Sequence, residues 1–390
     1  MMISSKRDNV LLQFLLLVAV IPSIFAIREY IGDVVAGRML WLLLLVIIFL
    51  FSNKYKIPQI SKIYISAIVL GYLFHYLYGI GENFNTTVLA RIVPIILLSV
   101  AHKQTRKPSV FILFSLIFYI LECGISIYEK INVSYLIKYK TLDEFNALNN
   151  LISDNNEFRS VSLMLHPLYN ANTVSIFLIF ILFSDKLRKW EKYVLIIIGL
   201  LALWAFNSRA AMIIWFIIII YKFFFYNTKH IRFIISLVVL YFIIPIVIDY
   251  VITSGIFGRL TDMTSLDNSS LSRITAFDIF FNERWTFNDI VFGGRLLCYP
   301  GTDITLENGI LLDLGYWGLI IGTIKVICEF IITYNVVIKY KLMDRILIIL
   351  AIWGVAFMNN NSFQTWIIPM FIMADITFNN YIPYKNHLNK

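Results

Sequence analysis

The stretch YVLIIIGLLALWAFNSRAAMIIWFIIIIYKFFFY, residues 193–226, decides the fold. Two apolar runs, 193–206 and 210–226, are separated only by Asn207, Ser208 and Arg209. A span that ends, turns through three polar residues and returns at once is the unit from which the rest of the chain is built. Working outward, twelve such runs are found, near 10–27, 34–51, 61–80, 88–101, 109–128, 161–184, 193–206, 210–226, 233–253, 309–332, 346–357 and 365–379. Hydrophobic residues make up 59% of the 390 positions, and the mean hydropathy is +0.78. That composition lies far from a soluble domain and predicts an all-α polytopic membrane protein with about twelve transmembrane helices. Several runs fall short of the roughly 20 residues a straight span needs, so they require semi-polar flanks or locally thin bilayer.

Basic residues set the orientation. With the N-terminus inside, twenty Lys and Arg fall in inside segments and eleven in outside segments. The inside ones crowd very short loops, among them Lys54, Lys56, Lys103, Arg106, Lys107, Lys186, Arg188, Lys189, Lys192, Lys339, Lys341 and Arg345. Short loops rich in Lys and Arg stay cytoplasmic, which places both termini inside. The formal net charge of +9 is therefore a topology signal, and no nucleic-acid partner is expected. Lys6 and Arg7 precede a full-length apolar run with no small-x-small cleavage site, so the first helix is read as retained. Cys123, Cys298 and Cys328 lie far apart, without metal-ligand spacing or a disulfide framework.

The chain reads as a single integral membrane domain, 1–390, with two long outside loops, 129–160 and 254–306. Long loops often carry function. Within the first, Leu142, Phe145, Leu148 and Leu151 are spaced as one helical face, which predicts a helix on the membrane surface. The outside basic residues are mostly arginines: Arg28, Arg38, Arg159, Arg209, Arg259, Arg273, Arg284 and Arg295, eight of the eleven. Lysine suffices for topology, whereas the planar guanidinium grips phosphate oxygens with two hydrogen bonds. An anionic ligand such as a phosphate or pyrophosphate is expected there, with ordinary ion pairs to Asp and Glu as the plain alternative.

Polar residues within the spans gather on the same side. Arg91, Glu122 and Asp249 lie toward outer span ends, His166, Asn170 and Asn172 open the sixth span, and Asn359, Asn360, Asn361 and Gln364 precede the twelfth. The inner half is left with Asp375 and with Lys325 and Glu329, an i,i+4 pair of structural type. Charges at membrane depth are costly and face a cavity or a partner. The pattern predicts a polar cavity open to the outside and argues against a transporter, whose polar groups reach the midplane from both faces.

Three stretches carry a resemblance. Asn207-Ser208-Arg209-Ala210-Ala211 resembles the Ser-Arg-Gly/Ala-Ala turn of bacterial O-antigen polymerases and ligases. Leu271-Ser272-Arg273, followed by Phe277, Phe281, Trp285 and Gly293-Gly294, is similar to the pattern of those families' large periplasmic loop. Glu307-Asn308-Gly309, followed by Gly315-Tyr316-Trp317-Gly318, resembles their polar pair that opens a span ahead of G-x-x-G. His166-Pro167 through Asn172 adds a weaker likeness. The motifs fall between about 160 and 320, and the topology resembles the family along the whole chain.

The resemblance implies a GT-C-like, metal-independent glycosyltransferase of the bacterial inner membrane, without a cofactor, its active site facing the periplasm. Its substrate would be an undecaprenyl-pyrophosphate-linked oligosaccharide, with the bilayer and a chain-length regulator protein as partners. Arg209 and Arg273 are the main expected grip on pyrophosphate, with Arg159, Arg284, Arg295 and Arg91 as further candidates and His166 and Asn308 beside them. Ligases typically carry a histidine where this chain has Glu307, a departure that favours polymerase over ligase. Transfer from a lipid pyrophosphate leaves an anion that clustered arginines stabilise without a metal. The acceptor hydroxyl calls for a proton acceptor, and Glu307 is the candidate. The plain alternative for Glu307 is a carboxylate favoured by the dipole at a helix start. An O-antigen ligase and a lipid-linked oligosaccharide flippase are the competing functions.

Overall fold

The computed structural model describes residues 17, 20–21, 24–27, 57–77, 92, 109–137, 158–222, 268–294, 297–298, 308–358 and 367–380, with the side chains of 268–274, 368–369 and 379–380 excepted. Those residues are helical with short connections, and no strand occurs among them. In chain order the helices are α1 (Gln59–Leu77), α2 (Ser109–Asn132), α3 (Pro167–Phe183), α4 (Lys189–Ala205), α5 (Arg209–Ile220), α6 (Asn268–Asn282), α7 (Phe287–Val291), α8 (Gly309–Trp317), α9 (Leu319–Val337), α10 (Leu342–Ile349), α11 (Val355–Met358) and α12 (Ile367–Asn380). A five-residue π-helical stretch, Leu350–Gly354, joins α10 to α11.

Among the described residues three helices are long and apolar enough to cross a membrane: Gln59–Leu77, Val110–Asn132 and Leu319–Val337. Helix α2 turns Val110, Leu113, Ile117, Ile120 and Leu121 outward, each about half exposed or more. In water such a stripe would be a large apolar patch, whereas against lipid it is the expected face. The core lies on the other side, where α3 buries nearly every residue and Phe177, Phe180 and Phe371 pack among α2, α3 and α12.

Pair directions follow from named contacts. Helix α1 runs against α9, with Tyr64 at Glu329, Gly71 at Ile321 and His75 at Trp317. Helices α2 and α4 run together, with Tyr119 Oη donating to Leu195 O at 2.8 Å and Lys130 Nζ 5.5 Å from the Trp204 ring centre. Helix α3 runs against α4, with Leu178 at Gly199 and Lys192 Nζ donating to Leu182 O at 3.3 Å. Small residues allow these approaches. A Cβ on Gly71 would stand 2.7 Å from the Trp317 ring, and one on Gly199 would stand 2.6 Å from Leu178.

Two expected spans differ from straight helices. The run 161–184 is helical only from Pro167, whose ring fits the first helical position. Ahead of it, 158–166 is irregular backbone, with Ser162 at φ 34° and Leu165 at φ 57°. The run 309–332 is two helices, because Gly318 at φ 80° turns α9 back along α8. A Cβ on Gly322 would stand 3.0 Å from Leu314 Cα, so residues eight apart in sequence touch. Glycine alone adopts this φ without steric cost.

Candidate functional site

The segment 158–166 is the centre of the group that the sequence leads one to expect on the outer side. It cannot satisfy its own backbone as a helix does, so every donor needs another partner. The last turns of α2 supply most of them. Glu129 Oε2 accepts from Ser160 Oγ at 2.6 Å and from the amides of Val161 and Ser162 at 3.1 Å each. Glu122 Oε2, two turns earlier, accepts from the Leu163 amide at 3.1 Å and from Ser162 Oγ at 3.2 Å. Asn170, in the first turn of α3, takes the Met164 amide at 3.0 Å. Lys130 Nζ donates to Phe158 O at 2.7 Å, and the Ser160 amide donates to Ala205 O at 3.1 Å.

The turn from α4 to α5 closes on this segment. Asn207 sits at φ 50°, a conformation its short polar side chain tolerates. Ser208 caps α5, accepting from the Ala211 amide, so the helix starts on Arg209. Arg159 Nε donates to Phe206 O at 3.2 Å and thereby ties the segment to the turn. Arg159 also lies within electrostatic reach of Lys130 and of His166. His166 Nδ1 caps α3 by accepting from the Leu168 amide at 3.3 Å, and its ring lies 4.7 Å from Tyr169. Burial divides the group in two. Glu122, Glu129 and Lys130 are buried, whereas Arg159, Arg209 and His166 are partly exposed. The partly exposed members are thus two guanidinium groups and an imidazole.

A second group forms where α8 folds back on α9. Asn308 accepts from the amides of Ile310 and Leu311 at 3.1 Å each and so starts α8. Lys325 Nζ lies 2.6 Å from Asp313 Oδ2 and 3.1 Å from Glu329 Oε1, and Tyr64 Oη donates to Glu329 Oε1 at 3.2 Å. Lys325 and Glu329 are each 1% exposed, so the group is sealed. The expected i,i+4 pair is thus part of a larger network, and Glu329 is the eleventh of the nineteen residues of α9. Above it, the Gly294 amide donates to Tyr316 O at 2.7 Å, and Gly293 meets the Gly318 backbone. The two glycine motifs noted in the sequence therefore lock against each other. His75 of α1 is held there, stacked on Trp317 at 5.6 Å and edge-on to Tyr316 at 4.7 Å.

Of the expected site residues, Arg159, His166 and the Arg209 turn come together, and Asn308 belongs to the second group. Arg284 is exposed on the link between α6 and α7, beside Trp285, whose indole donates to Phe280 O at 3.1 Å. Arg273 lies on α6, its side chain outside the described residues, as are Glu307, Arg295 and Arg91 entirely. The surface helix expected around Leu142–Leu151 also falls outside them. Sequence reasoning missed Glu129, Lys130, Tyr64 and His75. Glu129 and Lys130 carried one signal, a charged pair at the end of an apolar run. Among the described residues no three His, Cys, Asp or Glu side chains gather to hold a metal ion.

Fold and site together define an all-α protein with helices able to cross a bilayer and a partly exposed cationic group at helix starts. No family model, no curated protein and no solved structure matches the chain.

Proposed function

We propose that this protein is a surface-polysaccharide polymerase of the O-antigen type, with twelve spans and both ends cytoplasmic. It transfers a growing glycan from undecaprenyl pyrophosphate onto an incoming lipid-linked repeat unit at the outer face of the bacterial inner membrane. The observation that carries the reading is the bond from Arg159 Nε to Phe206 O, three residues before Arg209 begins α5. Two guanidinium groups at a helix N-terminus suit a pyrophosphate leaving group, which needs charge stabilisation and no metal. In this scheme Glu307, immediately before the Asn308 cap, takes the acceptor proton; of the next candidates, His166, Asp313 and Asp249, Asp313 is engaged by Lys325 and Asp249 lies outside the described residues. The opposed and parallel helix pairs agree with alternating spans.

The test uses purified protein in nanodiscs with undecaprenyl-pyrophosphate-linked repeat units. Released undecaprenyl pyrophosphate and glycans of two or more repeats are expected, and an unchanged substrate pool contradicts the reading. Cysteine labelling at Lys192, Asp267 and Lys390 tests the topology, and Asp267 labelled only from the cytoplasm refutes it. The flippase is the second reading, although the charges near the middle of α9 are paired and sealed among themselves. Movement of lipid-linked repeats between leaflets without elongation would establish that alternative.

A further inference from the structure

We propose that Glu129 and Glu122 are positioning residues, a pair of carboxylates that clasps the backbone of 160–163 and thereby fixes Arg159 at the α4–α5 turn. This rests on the reading that Arg159 and Arg209 meet an anion.

The clasp is built from consecutive residues. Glu129 receives Ser160, Val161 and Ser162 on one oxygen and the Leu136 amide, at 3.1 Å, on the other. Glu122 receives Ser162 and Leu163. The outer edge of the segment is finished by the Ala26 amide, which donates to Leu163 O at 2.8 Å. Two carboxylates at 0% exposure within one apolar helix are a costly way to hold a chain that a regular helix would hold for nothing. Left-handed Ser162 and Leu165 add backbone strain. What the segment gains is placement. Arg159 stands one residue before the clasped stretch and His166 three residues after it, both partly exposed, while the carboxylates themselves are out of a ligand's reach.

Carboxylate chemistry is required because Glu129 accepts four hydrogen bonds and donates none. Glutamine offers one acceptor oxygen and turns an NH2 group toward donors. In Glu129→Gln an uncharged oxygen stands in for Oε2 and an NH2 group faces the Leu136 amide, so the clasp is loosened without altering any cation that meets the ligand.

The experiment uses the full-length protein in nanodiscs and inorganic pyrophosphate as probe, with affinity read by calorimetry at several salt concentrations. Glu129→Gln is expected to weaken pyrophosphate by about tenfold, the equivalent of one hydrogen-bond-sized loss of placement. Its salt dependence should stay that of the wild type, because no cation is removed, whereas Arg159→Ala should weaken binding and flatten the salt dependence. Should Glu129→Gln fail to fold, Lys130→Met, which removes only the bond to Phe158 O, is expected to cost about threefold. Wild-type affinity in either folded variant, with Arg159→Ala impaired, overturns the clasp and leaves the anion site standing. Wild-type affinity in both Arg159→Ala and Arg209→Ala overturns the anion site itself.

Discussion

The outer segment and the Lys325 network bury charge in the same kind of apolar helix by opposite means. At Lys325 the charges answer each other side chain to side chain, and the group is closed on all sides. At 158–166 the carboxylates accept instead from backbone amides and serine hydroxyls. The first arrangement joins helices to one another, and the second holds an irregular stretch of backbone against α2.

The largest expected effect is on the sealed network. Lys325→Met leaves Asp313 and Glu329 buried without their cation, and a loss of about 3–5 kcal/mol follows for a broken buried pair. Thermal unfolding in detergent would read it, and replacing Lys325, Asp313 and Glu329 together by apolar residues should restore most of the stability. An unaltered transition in Lys325→Met would show that the network carries no weight. Next comes Gly318→Ala. A Cβ there meets Gly293 N and Ile290 O at 2.9 Å each and sits at a φ that alanine avoids, for a cost of roughly 1–3 kcal/mol. Tyr64→Phe removes one hydroxyl from Glu329 and should cost about 1 kcal/mol by the same measurement.

The smallest effect belongs to Arg284. It is exposed on the α6–α7 link, so Arg284→Ala should change stability by no more than about 0.5 kcal/mol. Glycan chain length should fall far less than with Arg159→Ala. An equal fall would move the recognition site toward that link.

Much of the outer group was legible in the sequence, for a local reason. Asn207, Ser208 and Arg209 stand between two apolar runs, so their turn and the cap of α5 are written in neighbouring residues. His166-Pro167 announced the start of α3 in the same way. The clasp was not legible, because Glu129 meets residues more than thirty positions away and only packing brings them to α2. The fold-back at Gly318 was hidden by composition, since 309–332 is mostly apolar on both sides of it and periodicity does not reveal a single glycine of positive φ. Asp313 therefore reads as a lone charge in sequence, although it stands 2.6 Å from Lys325 twelve residues on.

The most direct measurement is glycan chain length on a gel, in a strain that lacks its own polymerase and carries this chain with Arg159→Ala and Arg209→Ala together. At normal protein level, the account predicts collapse of the ladder to single repeat units. A full ladder from the double variant would contradict it.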